Sequence, residues 1–413
     1  MEKGVGQLIE WQLARVIKVL EERDDYQMVQ VLLLSAASEG GRGASEAPGS
    51  AVNYPAVIGR VSEGDTVLLN TTAVSLSLGT GGVHFVAAIW PLREERPLSH
   101  ASAGHIMKMR YTPYQSAVLS VEEESSPYHA MLKQRDSLEN TPVLVGELHS
   151  MLPILVTVLR HCLPSRTRII YVMSDGGALP LAFSNHVNGL QSLGWLDGTV
   201  TYGHAFGGQL EAVNVYSALL AAKHALHADI IVMMMGPGIV GTGTPWGFSG
   251  LEVAEMLHAT WTLDGLPFFV PRMHSGESRR RHQGISHHTR LLLNRCVLTP
   301  VLVPLPPSAF MEGLDELYQS LHPRHLYLQE QVLSWKEMSQ LFSLYPDEIL
   351  SMGRDWEGDP LYFYAVGHSA AMVSQWLNAG SHEIDPPSQM AAIAQYVHAQ
   401  STARGREDHS TAK

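Results

Sequence analysis

Only two of the 413 residues are cysteine, Cys162 and Cys296. Two thiols cannot build a structural zinc site by themselves, and they are no disulfide framework of the secreted kind. They read as small buried apolar residues. Charge is scarce as well: 16% of the residues are charged, and the formal balance is -12. An acidic balance disfavours nucleic acid and anionic membrane surfaces as partners. No apolar run has the length of a membrane span, and the longest stretches, such as Ile230–Met235 (IIVMMM), have the length of a buried strand. The N-terminal stretch carries charges where a signal peptide needs an apolar segment. These absences point to a cytoplasmic setting without a membrane partner.

Glycine, by contrast, is abundant, at 36 residues, and apolar residues make up 45%. The glycines follow no fibrous period, and the apolar runs are too frequent for a disordered chain. The length exceeds one ordinary core, so two domains are expected.

Residues 15–21 alternate, residues 22–25 form a polar turn and residues 27–34 return, which reads as a hairpin. Residues 38–50 are a glycine-rich loop, and 66–70, 73–78 and 83–89 are further short strands. Residues 1–120 are therefore expected to form a β-rich domain, a small sheet or barrel. Residues 121–140, with the acidic run Glu122-Glu123-Glu124, read as a solvated connection. From residue 141 to about 307 the pattern changes to apolar runs that end in polar residues and lead into helical stretches, among them 151–160, 178–190, 209–225, 251–260 and 285–294. Buried parallel strands read this way. The fold class expected is α/β: the small β domain, then an open, mainly parallel, Rossmann-like three-layer α/β sheet domain over 141–385. Residues 361–366 (LYFYAV) are expected as another strand, and 386–413 as a C-terminal segment frayed at its end.

In open α/β sheets ligands bind beyond the carboxyl ends of the strands. The successive ends carry Glu147 and His149; Ser174, Asp175 and two glycines; Tyr202, Gly203 and His204; a loop from Gly236; and Arg272, His274 and Ser275. Single polar residues at such places are often helix caps, but five successive ends suggest a site. Asp175, His204, His149 and Glu147 are the candidate catalytic or orienting groups. Carboxylate and imidazole from neighbouring strands would also suit a divalent metal, although HExxH is absent and the spacings name no ion. Gly238, Gly241, Thr242, Gly243 and Thr244 lie in a glycine-rich loop whose backbone N–H groups suit an anion. It is neither a Walker A sequence nor a clean dinucleotide fingerprint. The segment HSGESRRRHQGISHH adds Arg279, Arg280, Arg281 and His282 as an anion-binding cluster, a lid or simply a solvated loop. No aromatic residue interrupts it, so a stacking platform for RNA is not evident. Ser369, after the expected strand at 361–366, lacks the Gly-x-Ser-x-Gly context of a hydrolase nucleophile, and Asp385 and His398 follow it in a sparse region.

The stretches GHIMKMRYTPYQ from Gly104, MSDGGALP from Met173, YGHAFGGQLEAVN from Tyr202, GPGIVGTGTPWGFSG from Gly236 and HQGISHHT from His282 resemble an uncharacterised family of bacterial proteins known as a domain of unknown function. The resemblance covers residues 10–380. It implies a bacterial, soluble protein and brings no established catalytic residues or cofactor. The residues themselves suggest an enzyme acting on a small anionic or polar metabolite, by hydrolysis or group transfer rather than hydride transfer. A non-catalytic ligand sensor and an oligomeric scaffold are the alternatives, with the cofactor, the metal and a homo-oligomeric state left open.

Overall fold

The structure is a computed structural model and describes residues 8–34, 48–79, 81–91 and 104–378. Most of the expected loop at 38–50, and Asp385, His398 and the segment 386–413, lie outside the described residues. The chain divides into two compact units, one of residues 1–102 and 109–116, the other of residues 103–108 and 117–413.

The first unit contains β1 (Trp11–Glu22), β2 (Gln27–Leu33), β3 (Gly49–Asn53), α1 (Pro55–Ile58), β4 (Thr66–Asn70), α2 (Thr72–Ser75) and β5 (His84–Trp90). Its strands close into a barrel in the order β1-β2-β3-β5-β4. Alternation supplies the core: Ala14 and Val16, Val29 and Val31, Val67 and Leu69 point inward from three strands. The strand expected at 73–78 is instead the helical turn α2. Asn70 Oδ1 accepts the Thr72 N–H at 3.2 Å and turns the chain, leaving Leu76 and Leu78 exposed rather than facing a core.

The second unit begins with the paired short strands β6 (Ile106–Lys108) and β7 (Ser116–Val118) and the turn α3 (His129–Leu132). The acidic run between them is not simply solvated. Glu123 is buried and accepts the Ser120 and His105 N–H groups, while Glu122 accepts the Val213 N–H. Then come β8 (Pro142–Gly146), α4 (Met151–Cys162), β9 (Ile169–Ser174), α5 (Asn185–Ser192), β10 (Gly198–Tyr202), β11 (Leu210–Ala212), α6 (Val215–Leu220), β12 (Ile230–Met235), α7 (Val253–Thr262), β13 (Leu266–Val270), β14 (Met273–His274), β15 (Gly284–Ile285), α8 (His287–Leu291), β16 (Leu302–Pro304), α9 (Leu314–Gln319), β17 (Leu326–Leu328), α10 (Trp335–Phe342) and α11 (Pro360–Asn378).

Eight of these strands form one sheet in the order β11-β10-β9-β12-β8-β13-β16-β17, parallel at every pairing. Both faces are apolar. Val143, Val145, Ile170, Val172, Met233 and Met235 pack with α6 and α7 in one core. Leu144, Tyr171, Met173, Val232, Met234 and Phe268 pack with α4 and α11 in the other. Side chains that alternate between two faces, both buried, leave each strand a continuous apolar run in the sequence.

Three elements of this unit differ from expectation, the first being the helix expected at 178–190, which starts only at Asn185 behind its cap Ser184. The helix expected at 209–225 starts only at Val215, because Leu210–Ala212 joins the sheet as β11 and Asn214 caps the helix by accepting the Tyr216 and Ser217 N–H groups. Residues 361–366 are helix, not strand, and Ser369 lies inside that helix with its hydroxyl donated to Ala365 O. Pro360 fits the first turn of α11. Its residues Leu361 to Ser374 are buried without interruption, so it shows no amphipathic period and reads as a strand.

Candidate functional site

The loop after β8 leads to α4 on one face of the sheet, whereas the loop after β12, its neighbour, leads to α7 on the other. Connections that leave adjacent parallel strands for opposite faces open a crevice at their carboxyl ends. A cavity of about 390 Å³ lies there, lined by Glu147, His149 and Ser150 after β8, Ser184 to His186 before and in α5, Met235 to Ile239 after β12, and Leu350 to Met352. Its size suits a metabolite.

His149 is held from both sides. Its Nδ1 lies 3.3 Å from Met235 O and its Nε2 2.6 Å from Ser184 Oγ. The Tyr171 hydroxyl also lies 3.2 Å from Nδ1; in the tautomer with the proton on Nδ1, the ring donates to the Met235 carbonyl and Nε2 accepts from the Ser184 hydroxyl. Burial pushes the imidazole down to about 3, helped by His186 nearby. The ring is therefore neutral at physiological pH and serves as a fixed hydrogen-bonding wall. Ser184 also caps α5 by accepting the Val187 N–H.

Glu147 differs. It is fully buried, one oxygen accepts the Thr289 hydroxyl, and Oε2 has no partner among the described residues. Burial raises the carboxyl to about 7, against the opposing charge of Arg272 and the Thr289 bond. A carboxyl that exchanges its proton near neutrality is suited to general acid–base work.

Asp175 and His204 meet, but through the main chain: Asp175 Oδ2 accepts the His204 N–H at 2.8 Å. Gly203, at φ +67°, packs so closely that a Cβ there would lie 2.4 Å from the same oxygen. The carboxylate thus locks the turn after β10. Beside it stands Glu252, where Ser174 donates its hydroxyl to the Glu252 carboxylate. Burial raises Glu252 to about 7, with Asp175 and Glu255 adding repulsion and the Ser174 bond opposing them. Among the described residues no three His, Cys, Asp or Glu side chains converge to hold a metal. The physical reason is visible in the partners: Asp175 is spent on a backbone N–H and His149 on Ser184 and Met235.

The glycine-rich loop folds onto itself. Thr242 donates its N–H and hydroxyl to Gly247 O, Thr244 Oγ1 accepts the Gly247 N–H, and Val240 and Ser249 bond each other. Gly238 and Gly243 take positive φ, and Gly241 lies against the His288 ring. Phe248 from this loop stacks on His288 with centroids 3.7 Å apart. The structure thus brings the loop to the histidine-rich segment.

That segment is not a solvated loop throughout. His274 and Ser286 are fully buried, and His282 and His288 nearly so. Its arginines divide. Arg279 grips Glu277 through Nε and Nη2 at 3.0 and 2.9 Å, while Arg280 and Arg281 are exposed. Asp359, fully buried before α11, accepts from His274 Nδ1 at 2.7 Å, from the Ser275 and Gly276 N–H groups and from Arg354 Nε. Burial works against ionisation of Asp359, but the His274 bond and the two backbone donors hold it down at about 2.

Sequence comparison matches residues 50–370, which leaves out β1 and β2 of the barrel and takes in the whole parallel sheet and every group above. The chain belongs to the DUF3866 family of proteins of unknown function. No curated protein matches it. The residues of this DUF3866 protein that the sequence left unmarked are Ser184, Glu252 and Asp359. Ser184 had a signal as a polar residue before a helix. Glu252 and Asp359 had none, because their roles depend on partners 78 and 85 positions away.

Proposed function

We propose that the cavity between the ends of β8 and β12 binds a small polar or anionic metabolite, and that Glu147 performs acid–base chemistry on it. The observation that carries this reading is Glu147, a lining residue of a metabolite-sized cavity at the switch point of the sheet, whose buried Oε2 has no partner among the described residues. Helices packed on both faces of the parallel sheet fit a Rossmann-like, three-layer architecture. Both cysteines are free thiols, which fits a cytoplasmic setting. Hydrolysis or group transfer is the reaction class, with His149 and Ser184 as parts of the cavity wall.

A ligand sensor without chemistry is the second reading. It is favoured by the neutral His149, whose two nitrogens are already engaged. Native mass spectrometry of the purified chain, followed by a thermal-shift screen of phosphorylated, carboxylated and polyhydroxylated metabolites, tests both. A ligand should bind the wild type and be lost when Leu350→Trp fills the cavity mouth. Glu147→Gln should then keep binding and abolish turnover in an enzyme, and weaken binding alone in a sensor. No bound mass and no stabilising compound would defeat both readings.

A further inference from the structure

Arg272, just beyond β13, is 4% exposed. Among the described residues its guanidinium makes one side-chain hydrogen bond, from Nε to His274 Nε2 at 3.0 Å. The acids of the region are committed elsewhere: Asp359 to His274 and Arg354, Glu277 to Arg279 and Arg354, Glu147 to Thr289. The carboxyls of Glu147 and Glu277 act on Arg272 through space, but among the described residues no carboxylate forms an ion pair with it. A buried charge of this kind is costly unless something pairs with it.

Besides the carboxyls of Glu147 and Glu277, Arg272 has histidines near it, on which its charge acts. His282, His287 and His288 form a cluster with ring centroids 4.0 to 5.3 Å apart. His288 Nδ1 and His287 Nε2 are buried without a partner among the described residues. Burial, then the positive field of Arg272 and neighbouring groups, keeps His282 and His288 neutral, each at about 3. Arg279, Arg281 and Arg290 add to the same field at His287 or His288. A buried guanidinium with no ion pair among the described residues, near neutral imidazoles with unpartnered ring nitrogens, is suited to an oxyanion, because the planar guanidinium matches two oxygens at once.

We propose that Arg272, with His282, His287 and His288, forms an oxyanion site for a phosphate or carboxylate group, separate from the cavity, which Arg272 does not line. The sequence drew attention to the three consecutive arginines; the structure assigns the role to a different one.

Inorganic phosphate is the probe. Calorimetric titration of the full chain at constant ionic strength should show saturable binding of one phosphate. Arg272→Lys keeps the charge and loses the fork, and should weaken binding by about tenfold or more. Labelled-histidine NMR of the wild type gives a readout independent of variant folding: bound phosphate should raise the pKa of His282 and His288, since an opposite charge favours the protonated ring. Acetate in place of phosphate should act in the same direction if a carboxylate is the natural group, and fail if phosphate is. Absence of saturation, unmoved His282 and His288 signals, or binding abolished by Arg280→Ala but kept by Arg272→Lys would overturn the assignment. The last result would mean phosphate rests on exposed arginines.

Discussion

Glu147→Gln probes the most unusual carboxyl of the cavity without changing its shape. The unfolded chain ionises this group at its ordinary 4.5, whereas burial raises the folded value to about 7. The folded state therefore binds the proton more tightly. Its stabilising contribution is fully present below pH 4.5 and is lost as pH rises through 7. The full loss is worth about 3 kcal/mol, each tenfold change in proton affinity being about 1.4 kcal/mol. Glutamine cannot ionise, so this part of the pH dependence should disappear. Its amide nitrogen would stand where Oε2 has no partner, which costs about 1–3 kcal/mol at every pH. The diagnostic is thus the slope and not the offset. Urea denaturation of both proteins at pH 5, 6, 7 and 8 measures it. The stability difference, wild type minus variant, should fall by about 2.5 kcal/mol across that range, since part of the loss already lies below pH 5. Glu252 titrates in the same window in both proteins and cancels. Parallel profiles would show that Glu147 ionises normally and would remove the physical basis for acid–base chemistry in the cavity.

Asp359→Ala removes the acceptor shared by His274, Arg354 and two backbone N–H groups. It should cost about 3–5 kcal/mol in urea denaturation, Asp359→Asn less, and a loss under 1 kcal/mol would refute the network. Because Asp359 is held at about 2, below its ordinary 3.8, its contribution is present above pH 3.8 and lost as pH falls through 2, so Asp359→Asn should also soften acid unfolding. Gly203→Ala places a methyl against the Asp175 carboxylate at a φ that disfavours any side chain. It should lower stability by about 1–3 kcal/mol, and an unchanged denaturation midpoint would remove the turn-locking role of Asp175.

The parallel sheet was legible because strands buried on both faces leave a distinctive trace, and runs such as Ile230–Met235 carry it without ambiguity. The hairpin of β1 and β2 was legible from its alternation and polar turn. The same rules misled at α11, where burial on all sides erases the helical period, and at Leu210–Ala212, where three residues join the sheet edge before the helix begins. Local pattern reports local burial. It reports element type only when one face meets water.

The site was legible as a location and not as a set of roles. Polar residues at the strand ends follow from the sheet alone, so Glu147 and His149 could be placed at its edge from the sequence. What each does depends on the crossing order, which puts β12 between β8 and β9 and sends Met235 O to His149. The same order sets β10 beside β9, where Asp175 and His204 are joined by a backbone N–H of His204 and not by the imidazole. The arginines show the limit most clearly. A run of three on the surface is conspicuous in sequence, yet one is neutralised by Glu277 and the other two face solvent. Arg272 is a single residue among apolar neighbours in the sequence, and it is buried with one side-chain hydrogen bond and no ion pair among the described residues. Buried charge that local rules would forbid persists where the structure has a use for it. In this chain two such groups, Glu147 and Arg272, stand at the ends of adjacent strands, β8 and β13, and each influences the ionisation of the other. An oxyanion that neutralised Arg272 would therefore raise Glu147 further and keep it protonated, so occupation of the second site would be felt in the first as a change in proton affinity.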